Sequence, residues 1–396
     1  MTAATLPQFD HCIKEPRGLS ERIQWLRDYY FKGTERSWNN ESIAWTTGTA
    51  WDIQFNEMTF YIVPETYTLL QTLRGSYRQA ARTIDLDKDF WHWSQVERRA
   101  WFVKEVMVSY MPKEILPGDL IAGGRFNVQT SLCLDQREQQ AFDRALLGKK
   151  GARAGMKWFH DHGYGNAGAT SGHLIPDHER VLKIGWKGIL ADLKTRYHQL
   201  GDGDKNGNKG AQLKAMMTAA TMPRDLAAGY ADLCQTLADG QTDIHRREEL
   251  SQMAQNLARV PWEPATTFWE ALQALWINHM LIMSDENYPG PGVSFGRIDQ
   301  YLLPHWEYSL RHGMAREFGK ELLKCFWMHC NTVYDAMIRN GNQGITAGFG
   351  QLVTLSGMGP NGKDMTNDLT YAILEVIDEM SPILEPKPNV RLHGNS

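Results

Sequence analysis

The segment TTFWEALQALWINHMLIM (266–283) is apolar over nearly its whole length and follows Pro264. Proline is common in the first turn of a helix, so Pro264 indicates where a helix starts. A surface helix would carry a broad polar face, which this segment lacks, so the predicted helix is buried nearly all round. Such a helix needs other elements packed around it, and it therefore marks the interior of the fold.

Apolar residues recur at helical spacing on both sides of this segment. The predicted helices are residues 19–35, 89–112, 179–198, 314–328 and 367–380. GDGDKNGNKG (201–210) holds four glycines and nothing apolar, and we interpret it as a surface loop between helices rather than a domain boundary. The chain is thus predicted to be mostly helical.

Short β-prone stretches alternate with these helices. Proline and glycine around a short apolar run predict turn, strand and turn at 116–128. LVTL within 340–357 predicts a buried strand entered through a tight bend, with Phe349 and Gln351 on opposite faces or near a cavity. A proline-stiffened strand is predicted at 385–393. The pattern as a whole favours a mixed α/β protein with a large helical part.

The composition excludes several classes of protein. The chain has 396 residues, with 42 basic and 46 acidic side chains and a formal net charge of −4, so no positive field exists to hold a nucleic acid. A hydrophobic content of 42% excludes global disorder, and no apolar run approaches the ~20 residues of a membrane-spanning helix. Tryptophan, tyrosine and phenylalanine number 14 each, which indicates large buried or cavity-lining surfaces.

The cysteines are odd in number, widely scattered and without a CxxC pair, which supports neither a zinc knuckle nor a thioredoxin-type site. They are Cys12, Cys133, Cys234, Cys325 and Cys330. The first 18 residues lack the basic start and apolar core of a secretory signal. We therefore expect a cytoplasmic protein with free thiols, most of them small buried hydrophobes.

The glycine-rich cluster FHDHGYGNAGATSGH (159–173) offers metal-ligand residue types at His160, Asp161, His162 and His173. Two histidines two residues apart would face apart on a helix, and the run is too rich in glycine for a stable helix. We therefore disfavour a metal site here.

The same cluster is better suited to contact a small molecule, because glycines let the backbone approach a ligand closely. Its hydrogen-bonding side chains are Tyr164, Asn166, Thr170 and His173. A substrate-contacting loop is the favoured interpretation, and a plain structural turn stays open.

PGPGVSFGRIDQYL (289–302) resembles a phosphate loop only superficially, because it lacks the GK[ST] sequence and Asp299 would repel a phosphate. We expect Arg297 and Asp299 to form a buried ion pair or to cap a helix. No Ser/His/Asp order, paired glycosidase carboxylates or dinucleotide fingerprint stands out elsewhere.

Six segments, taken in order, resemble the glycyl radical enzymes of the pyruvate formate-lyase-like superfamily, in particular its lyase and decarboxylase members. They are LPGDLIAGG (116–124), SGHLIPDHERVLKIGWKGI (171–189), PATTFWEALQALWINHMLI (264–282), GVSFGRIDQYLLP (292–304), QLVTLSGMGPNGKDMTNDLTYAILEVI (351–377) and EPKPNVRLH (385–393). The resemblance runs from about residue 20 to the C-terminus.

The resemblance implies a ten-stranded α/β barrel built of two five-stranded half-barrels and wrapped in helices. It also implies a thiyl radical on a cysteine loop and a glycyl radical, which a radical-SAM activating enzyme installs; this chain itself would bind no cofactor. Full-length relatives are usually homodimers. A sealed radical chamber would account for the abundant tryptophan.

The chain departs from the family in length and in two motifs. It has neither a Gly-Cys-x-Glu loop nor a C-terminal glycyl radical motif, and no cysteine here is followed two residues later by glutamate. We therefore expect residues 1–18 to be a tail and 19–396 to be the N-terminal half of the barrel, with no catalytic residue in this chain and no activity alone.

The resemblance assigns substrate-facing positions to six residues: Tyr164, Asn166, Thr170, His173, Ser294 and Phe349. Sulfonate-cleaving members use an Arg and a Gln four residues apart near the loop before GH. Here that loop has no arginine, and the pair with this spacing, Arg125 and Gln129, lies upstream, so isethionate-type cleavage is not favoured.

Two functions remain open at this point. The favoured one is the N-terminal part of a glycyl radical lyase that cleaves a C–C, C–O, C–N or C–S bond of a small organic substrate. The alternative is a non-catalytic half-barrel that binds a partner or a small ligand.

Overall fold

The computed structural model describes residues 18–32, 85–110, 113–123, 134–148, 150–163, 174–285, 293–331, 351–380 and 385–392. The longer helices are α1 (Glu21–Lys32), α2 (Gln95–Glu105, continued by a π-helical turn Val106–Tyr110), α3 (Gln136–Leu147), α4 (Ala152–Asp161), α5 (His178–His198), α6 (Asn208–Asp239), α7 (Ile244–Arg259), α8 (Phe268–Asp285), α9 (Leu303–Arg311), α10 (Arg316–Asn331) and α11 (Asp368–Met380). Single helical turns lie at Phe90–His92, Asp202–Lys205 and Ile298–Tyr301, and the strands are β1 (Leu352–Ser356) and β2 (Lys387–Arg391).

Helix α8 is the centre of the core, as its apolar sequence predicts. Every residue from 268 to 281 is buried, and α8 packs against α5, α7, α9 and α10. The other predicted helices are also confirmed, as α1, α2, α5, α10 and α11, with ends that differ by a few residues. The amphipathic pattern therefore identified these six helices correctly, and α3, α4, α6, α7 and α9 are additional to them.

Residues 201–209 lie at the surface, as predicted, but the prediction that they form a loop is wrong. They form the turn Asp202–Lys205 and the first residues of α6, which begins at Asn208. Asp202 and Asp204 lie in the first turn of the short helix, where a negative charge interacts favourably with the helix dipole.

The predicted strand at 116–128 is absent from the part of it that the structure describes, residues 116–123. Side chains of α8 replace a strand partner: Gln273 exchanges two hydrogen bonds of 2.8 Å with the backbone of Ala122, and Trp269 Nε1 donates to Leu120 O at 2.7 Å. On the α10 side, His329 Nε2 bonds Ile121 O at 2.7 Å. Since helix side chains satisfy this backbone, no sheet partner is needed.

Helix α5 is broken by Gly185, which has a φ of +63°. A Cβ atom at this position would lie 2.1 Å from the carbonyl oxygen of Trp262, so only glycine fits. The next two amides donate outside the helix, Trp186 N to Pro261 O at 2.9 Å and Lys187 N to Trp262 O at 3.0 Å. The break therefore joins α5 to the connection between α7 and α8.

The strands form a parallel sheet whose spatial order follows the chain. β1 pairs with β2 in parallel, from Leu352 opposite Lys387 to Ser356 opposite Arg391. Single parallel bridges extend the sheet on the other side of β1, from Gly296 to Val353 and from Leu174 to Val293. Helices α5–α8 lie in the chain between Leu174 and Val293, α9 and α10 lie between Gly296 and β1, and α11 lies between β1 and β2. This is the repeating strand–helix–strand arrangement of a parallel sheet.

One face of β1 is covered by helices and the other is partly open. Val353 and Leu355 are completely buried in the core, whereas Leu352 is 41% exposed. On β2, Val390 is 42% exposed. Alternate residues of a strand point to opposite faces, so in β1 the helical layer covers the face that carries Val353 and Leu355. Val390 lies beside Leu355 on that same face, so β2 is an edge strand that the helical layer does not cover.

A set of paired charges, here called the charged ladder, joins α10 to α11. Arg316 pairs with Glu375 at 2.7 Å, Lys320 with Glu375 at 3.0 Å and with Glu379 at 2.5 Å, and Lys324 with Glu379 at 2.6 Å. Although burial lowers the pKa of Lys320, hydrogen bonds from its ammonium group to Glu379 and Glu375 raise it overall. The ladder therefore holds the nearly buried Lys320 in its charged form.

The ladder continues to the N-terminal helix through Glu321, which is completely buried on α10. Its carboxylate lies 3.9 Å from Lys324 Nζ and 3.6 Å from Arg22 Nε, and it accepts a hydrogen bond from Ser20. Burial raises the pKa of Glu321, and the Ser20 hydroxyl and the two cations oppose that shift. Helix α1 is thereby attached to the C-terminal helices of the chain.

Candidate substrate site at the parallel sheet

Ser294 is the predicted site residue that the structure describes. It lies in the sheet between Leu174 and β1. Its backbone N–H donates to Leu174 O at 2.9 Å, and its hydroxyl oxygen accepts the Leu352 N–H at 3.3 Å. Ser294 is 8% exposed, and its hydroxyl proton has no acceptor among the described residues. The hydroxyl is therefore held in place while its proton stays available for a ligand.

Gln351 fixes the start of β1, beside Ser294. Its backbone N–H donates to Glu385 Oε2 at 2.8 Å, and its carbonyl accepts the Lys387 N–H at 3.1 Å. Its side chain donates to Cys330 O at 2.7 Å and bonds His279 Nε2 at 2.8 Å. Gln351, which is completely buried, thus joins α8 and α10 through its side chain and Glu385 and β2 through its backbone.

Two buried histidines, His279 and His178, form further hydrogen bonds in the helical layer behind Gln351. His279 stacks on Phe295 with ring centres 4.0 Å apart, and His178 bonds the Asn278 amide at 2.9 Å. Burial and the nearby His279 lower the pKa of His178 well below its ordinary value, so it is neutral at pH 7. We call His178, Asn278, His279 and Gln351 the amide–imidazole network; it lies behind the strand that carries Ser294.

Arg297 and Asp299 do not form the predicted ion pair, and the Arg297 side chain makes no capping hydrogen bond; both residues lie within the described segment 293–331. Instead they bind opposite groups of Ser356 at the end of β1. Arg297 Nη2 donates to Ser356 O at 2.9 Å, and Asp299 Oδ2 accepts the Ser356 N–H at 2.7 Å and the Thr370 hydroxyl at 2.6 Å. The two side chains diverge because the chain turns into a helix between them, and together they hold Ser356 at a φ of +62°.

Three of the cysteines lie in described segments, and all three are free and buried, as predicted. Burial raises the pKa of Cys234 to about 12 and that of Cys325 and Cys330 well above the ordinary value. A thiol with such a pKa carries no thiolate at pH 7, so none of these three residues is an activated nucleophile. Cys12 and Cys133 lie outside the described residues.

The other predicted substrate contacts, Tyr164, Asn166, Thr170, His173 and Phe349, lie outside the described residues. The sheet nevertheless brings together the three segments that the sequence indicated. Leu174 directly follows His173, and Gln351 comes two residues after Phe349; both described neighbours lie in the sheet beside the 293–296 segment.

Of the four residues of the disfavoured metal site, the structure describes the side chains of Asp161 and His162. His162 Nδ1 bonds Trp158 O at 2.7 Å and its ring stacks on the Trp158 indole, while Asp161 pairs with Lys157 at 2.6 Å. Within the described segments, no group of three or more metal-ligating side chains comes together. The His160 side chain and His173 lie outside them. No helix among the described residues is both long and apolar enough to cross a membrane.

Sequence reasoning missed His178, Asn278, His279 and Glu385. A signal existed for two of them, because Asn278 and His279 are adjacent polar residues inside an otherwise apolar helix. Buried polar side chains of this kind must find hydrogen-bond partners, and partners are found across neighbouring elements. Glu385 and His178 gave no such signal.

The chain matches the Pyruvate formate lyase-like family over residues 154–396. It is 31% identical over 227 residues to isethionate sulfite-lyase of Desulfovibrio desulfuricans, a match that covers 56% of this chain and 27% of the relative. It is 31% identical over 256 residues to (2S)-3-sulfopropanediol dehydratase of Klebsiella oxytoca, which covers 62% of this chain and 30% of that enzyme. The matched region is thus less than a third of these relatives' length.

The fold is similar to that of hydroxyproline dehydratase from Clostridioides difficile, solved with trans-4-hydroxy-L-proline bound. The TM-score is 0.64 at 20% identity, and the match covers 96% of this chain and 48% of that one. The chain therefore corresponds to about half of a solved glycyl radical enzyme, which confirms the predicted half-barrel with its helical surround. On its sequence match over more than half its length, this chain belongs to the pyruvate formate lyase-like family.

Proposed function

We propose that this chain forms the N-terminal, substrate-facing half-barrel of a glycyl radical lyase that acts on a small organic molecule. The observation that carries the proposal is the family match over residues 154–396, with relatives named as a sulfite-lyase and a dehydratase. Both names describe elimination reactions, so among the C–C, C–O, C–N and C–S bonds considered, we favour C–O or C–S. Residues 19–396 are proposed to form one domain.

In this proposal the chain binds and orients substrate. Ser294 donates its hydroxyl proton to a polar group of the substrate, because the backbone of Leu352 already occupies one of its lone pairs. The remaining contacts are proposed to come from Tyr164, Asn166, Thr170, His173 and Phe349. No described residue is proposed as catalytic, since the described cysteines are buried with raised pKa values.

The chemistry of the full enzyme would come from a glycyl radical and a cysteine thiyl radical outside these 396 residues. We propose that a radical-SAM activating enzyme installs the glycyl radical and that the full enzyme is a homodimer in the cytoplasm. The expected 3′ coding sequence contains a Gly-Cys-x-Glu loop and a glycyl radical motif. Sequencing the DNA that follows the Ser396 codon tests this directly, and a stop codon with neither motif downstream would reject the enzyme proposal.

The role of Ser294 is tested in the activated full-length enzyme without oxygen. Ser294→Ala should lower kcat/KM by about tenfold or more, because a substrate hydrogen bond is lost. Ser309→Ala is the matched control: its hydroxyl oxygen also accepts a remote backbone N–H, that of Phe268 at 2.8 Å, but it lies on α9 away from the sheet. Equal loss of kcat/KM in both variants would mean that Ser294 acts only in folding.

Exposed apolar side chains at the sheet support a second candidate, a non-catalytic half-barrel that binds a partner. Ile175 is 66% exposed and Leu392 is 78% exposed, and exposed apolar side chains at a sheet commonly mark an interaction surface. This candidate requires the 396-residue chain to be stable alone. Size-exclusion chromatography should then give one 45 kDa species, and aggregation of the chain on expression would contradict it.

A further inference from the structure

A cleft of about 400 Å³ opens in the outer helical layer, between α2, α5, α6 and α8. Its walls are mainly apolar, with Val103, Ala219, Met222 and Ile282 among the lining residues. A volume of this size lies within the range of small-molecule sites in proteins, which are mostly apolar with a few polar groups.

The cleft is separate from the candidate substrate site, because α8 faces the two with different residues. His279 turns towards Gln351 and Phe295 at the sheet, while Asn278, Leu281 and Ile282 line the cleft. The helix therefore divides two regions of the molecule, and a ligand in the cleft would not occupy the position beside Ser294.

Two lining residues of the cleft have a polar atom without a partner among the described residues: Asn278, and Trp186 with its buried Nε1. Asn278 lines it and is only 2% exposed; its amide nitrogen bonds His178 Nδ1 at 2.9 Å. Its Oδ1 atom accepts no hydrogen bond from the described residues. A carbonyl oxygen in such a position is a strong acceptor, and leaving it without a donor is unfavourable. A ligand with one O–H or N–H group would supply that donor.

The mouth of the cleft carries no net charge. Arg99 and Asp285 line it and pair with each other at 2.9 Å, so neither sign of charge dominates. Two apolar side chains beside them are unusually open to water, Met216 at 43% and Val96 at 37%. Methionine adapts its shape readily, and exposed apolar surface here favours an apolar ligand without charge.

We propose that this cleft binds a small uncharged molecule with an apolar ring system and a single hydroxyl or N–H group, which donates to Asn278 Oδ1. The apolar body would displace water from the walls formed by α2, α6 and α8. The Asn278 acceptor would set the orientation of the molecule. This site does not depend on the proposed lyase function.

The test uses the 396-residue chain and two probes of the same shape, 2-naphthol and 2-methylnaphthalene. Both are uncharged at pH 7, and only 2-naphthol has a proton to donate. Titration followed by the fluorescence of the probe should show saturable binding of 2-naphthol. 2-Methylnaphthalene should bind about tenfold more weakly, because it cannot make the hydrogen bond. Equal affinity for the two probes would overturn the role of Asn278.

Cleft-filling variants locate the site. Ala219→Trp should weaken 2-naphthol binding by at least about tenfold, because the indole fills the space between the walls. Ala228→Trp is the matched control, since Ala228 is exposed on the same helix and does not line the cleft. Gln212→Trp, at an exposed lining residue, provides a second blocking variant that does not disturb the core. Absence of saturable binding, or unchanged binding in both blocking variants, would overturn the proposal.

Discussion

The charged ladder and the amide–imidazole network are both buried polar systems, yet they differ in chemistry and in position. The ladder pairs full charges between α10 and α11, for example Lys320 with Glu379 at 2.5 Å, on the helical side of the molecule. The network consists of amides and imidazoles, such as Gln351 and His279, directly behind the sheet. Its histidine His178 is held uncharged by burial and by the neighbouring His279.

The difference indicates what each system can do. Buried ion pairs are costly to desolvate but very costly to break, so the ladder resists separation of its helices. Amides and the neutral His178 carry no net charge, so their hydrogen bonds can connect helix and strand without a countercharge. The three predictions that follow would break one system or the other.

The largest effect is expected at Glu379, which pairs with two nearly buried lysines. Glu379→Gln should lower the free energy of unfolding by about 3 kcal/mol, because both ammonium groups lose their closest countercharge. Urea unfolding followed by circular dichroism measures the change. Glu375→Gln is the control: its carboxylate is 43% exposed, so water replaces much of its interaction and we expect about 1 kcal/mol. Equal losses in the two variants would show that burial does not distinguish the ladder's inner and outer pairs.

A smaller effect is expected in the amide–imidazole network. Gln351→Ala should lower the free energy of unfolding by about 2 kcal/mol, because the bonds to His279 and to Cys330 O are both lost in a buried position. Gln300→Ala removes a single, partly buried bond to Met365 O and should cost about 1 kcal/mol. A Gln351 variant as stable as the Gln300 variant would argue against the network as a clamp for β1.

The third effect depends on pH and is absent at pH 7. The pKa of His178 is lowered in the folded protein, so the unfolded chain binds the proton more readily. Its contribution to stability is therefore full above about pH 6.5 and falls as the pH drops below that value, by up to about 1.4 kcal/mol per pH unit. His178→Gln should reduce this slope in unfolding experiments between pH 5 and 7. His198→Gln, at an exposed residue of the same helix, should keep it; an unchanged slope in the His178 variant would contradict the assignment.

Sequence patterns predicted the elements whose stability depends on their own residues. The apolar run of α8 and the LVTL strand are examples, because periodicity and apolar content report directly on burial. The half-barrel itself followed only from the resemblance, since strands of three to five residues carry too little pattern to specify their neighbours.

The errors occurred where distant side chains decide the structure. Residues 116–123 were predicted to belong to a strand. Their backbone groups instead form hydrogen bonds with the side chains of Gln273 and Trp269, on a helix about 150 positions away. Arg297 and Asp299 read as an ion pair, but Ser356 offers each a better partner. No local pattern contains that information, because it depends on which elements become neighbours.

The sheet's spatial order has a consequence for biosynthesis. Leu174, the 293–296 segment, β1 and β2 lie side by side in the order in which a ribosome makes them. Each of these segments therefore pairs with one that has already left the ribosome. None of the four has to be inserted between two segments made before it. Of the described segments, β2 is made last, and it carries Pro388, which has no N–H to offer a further strand. The described part of the sheet can thus be assembled during translation by adding strands at one edge.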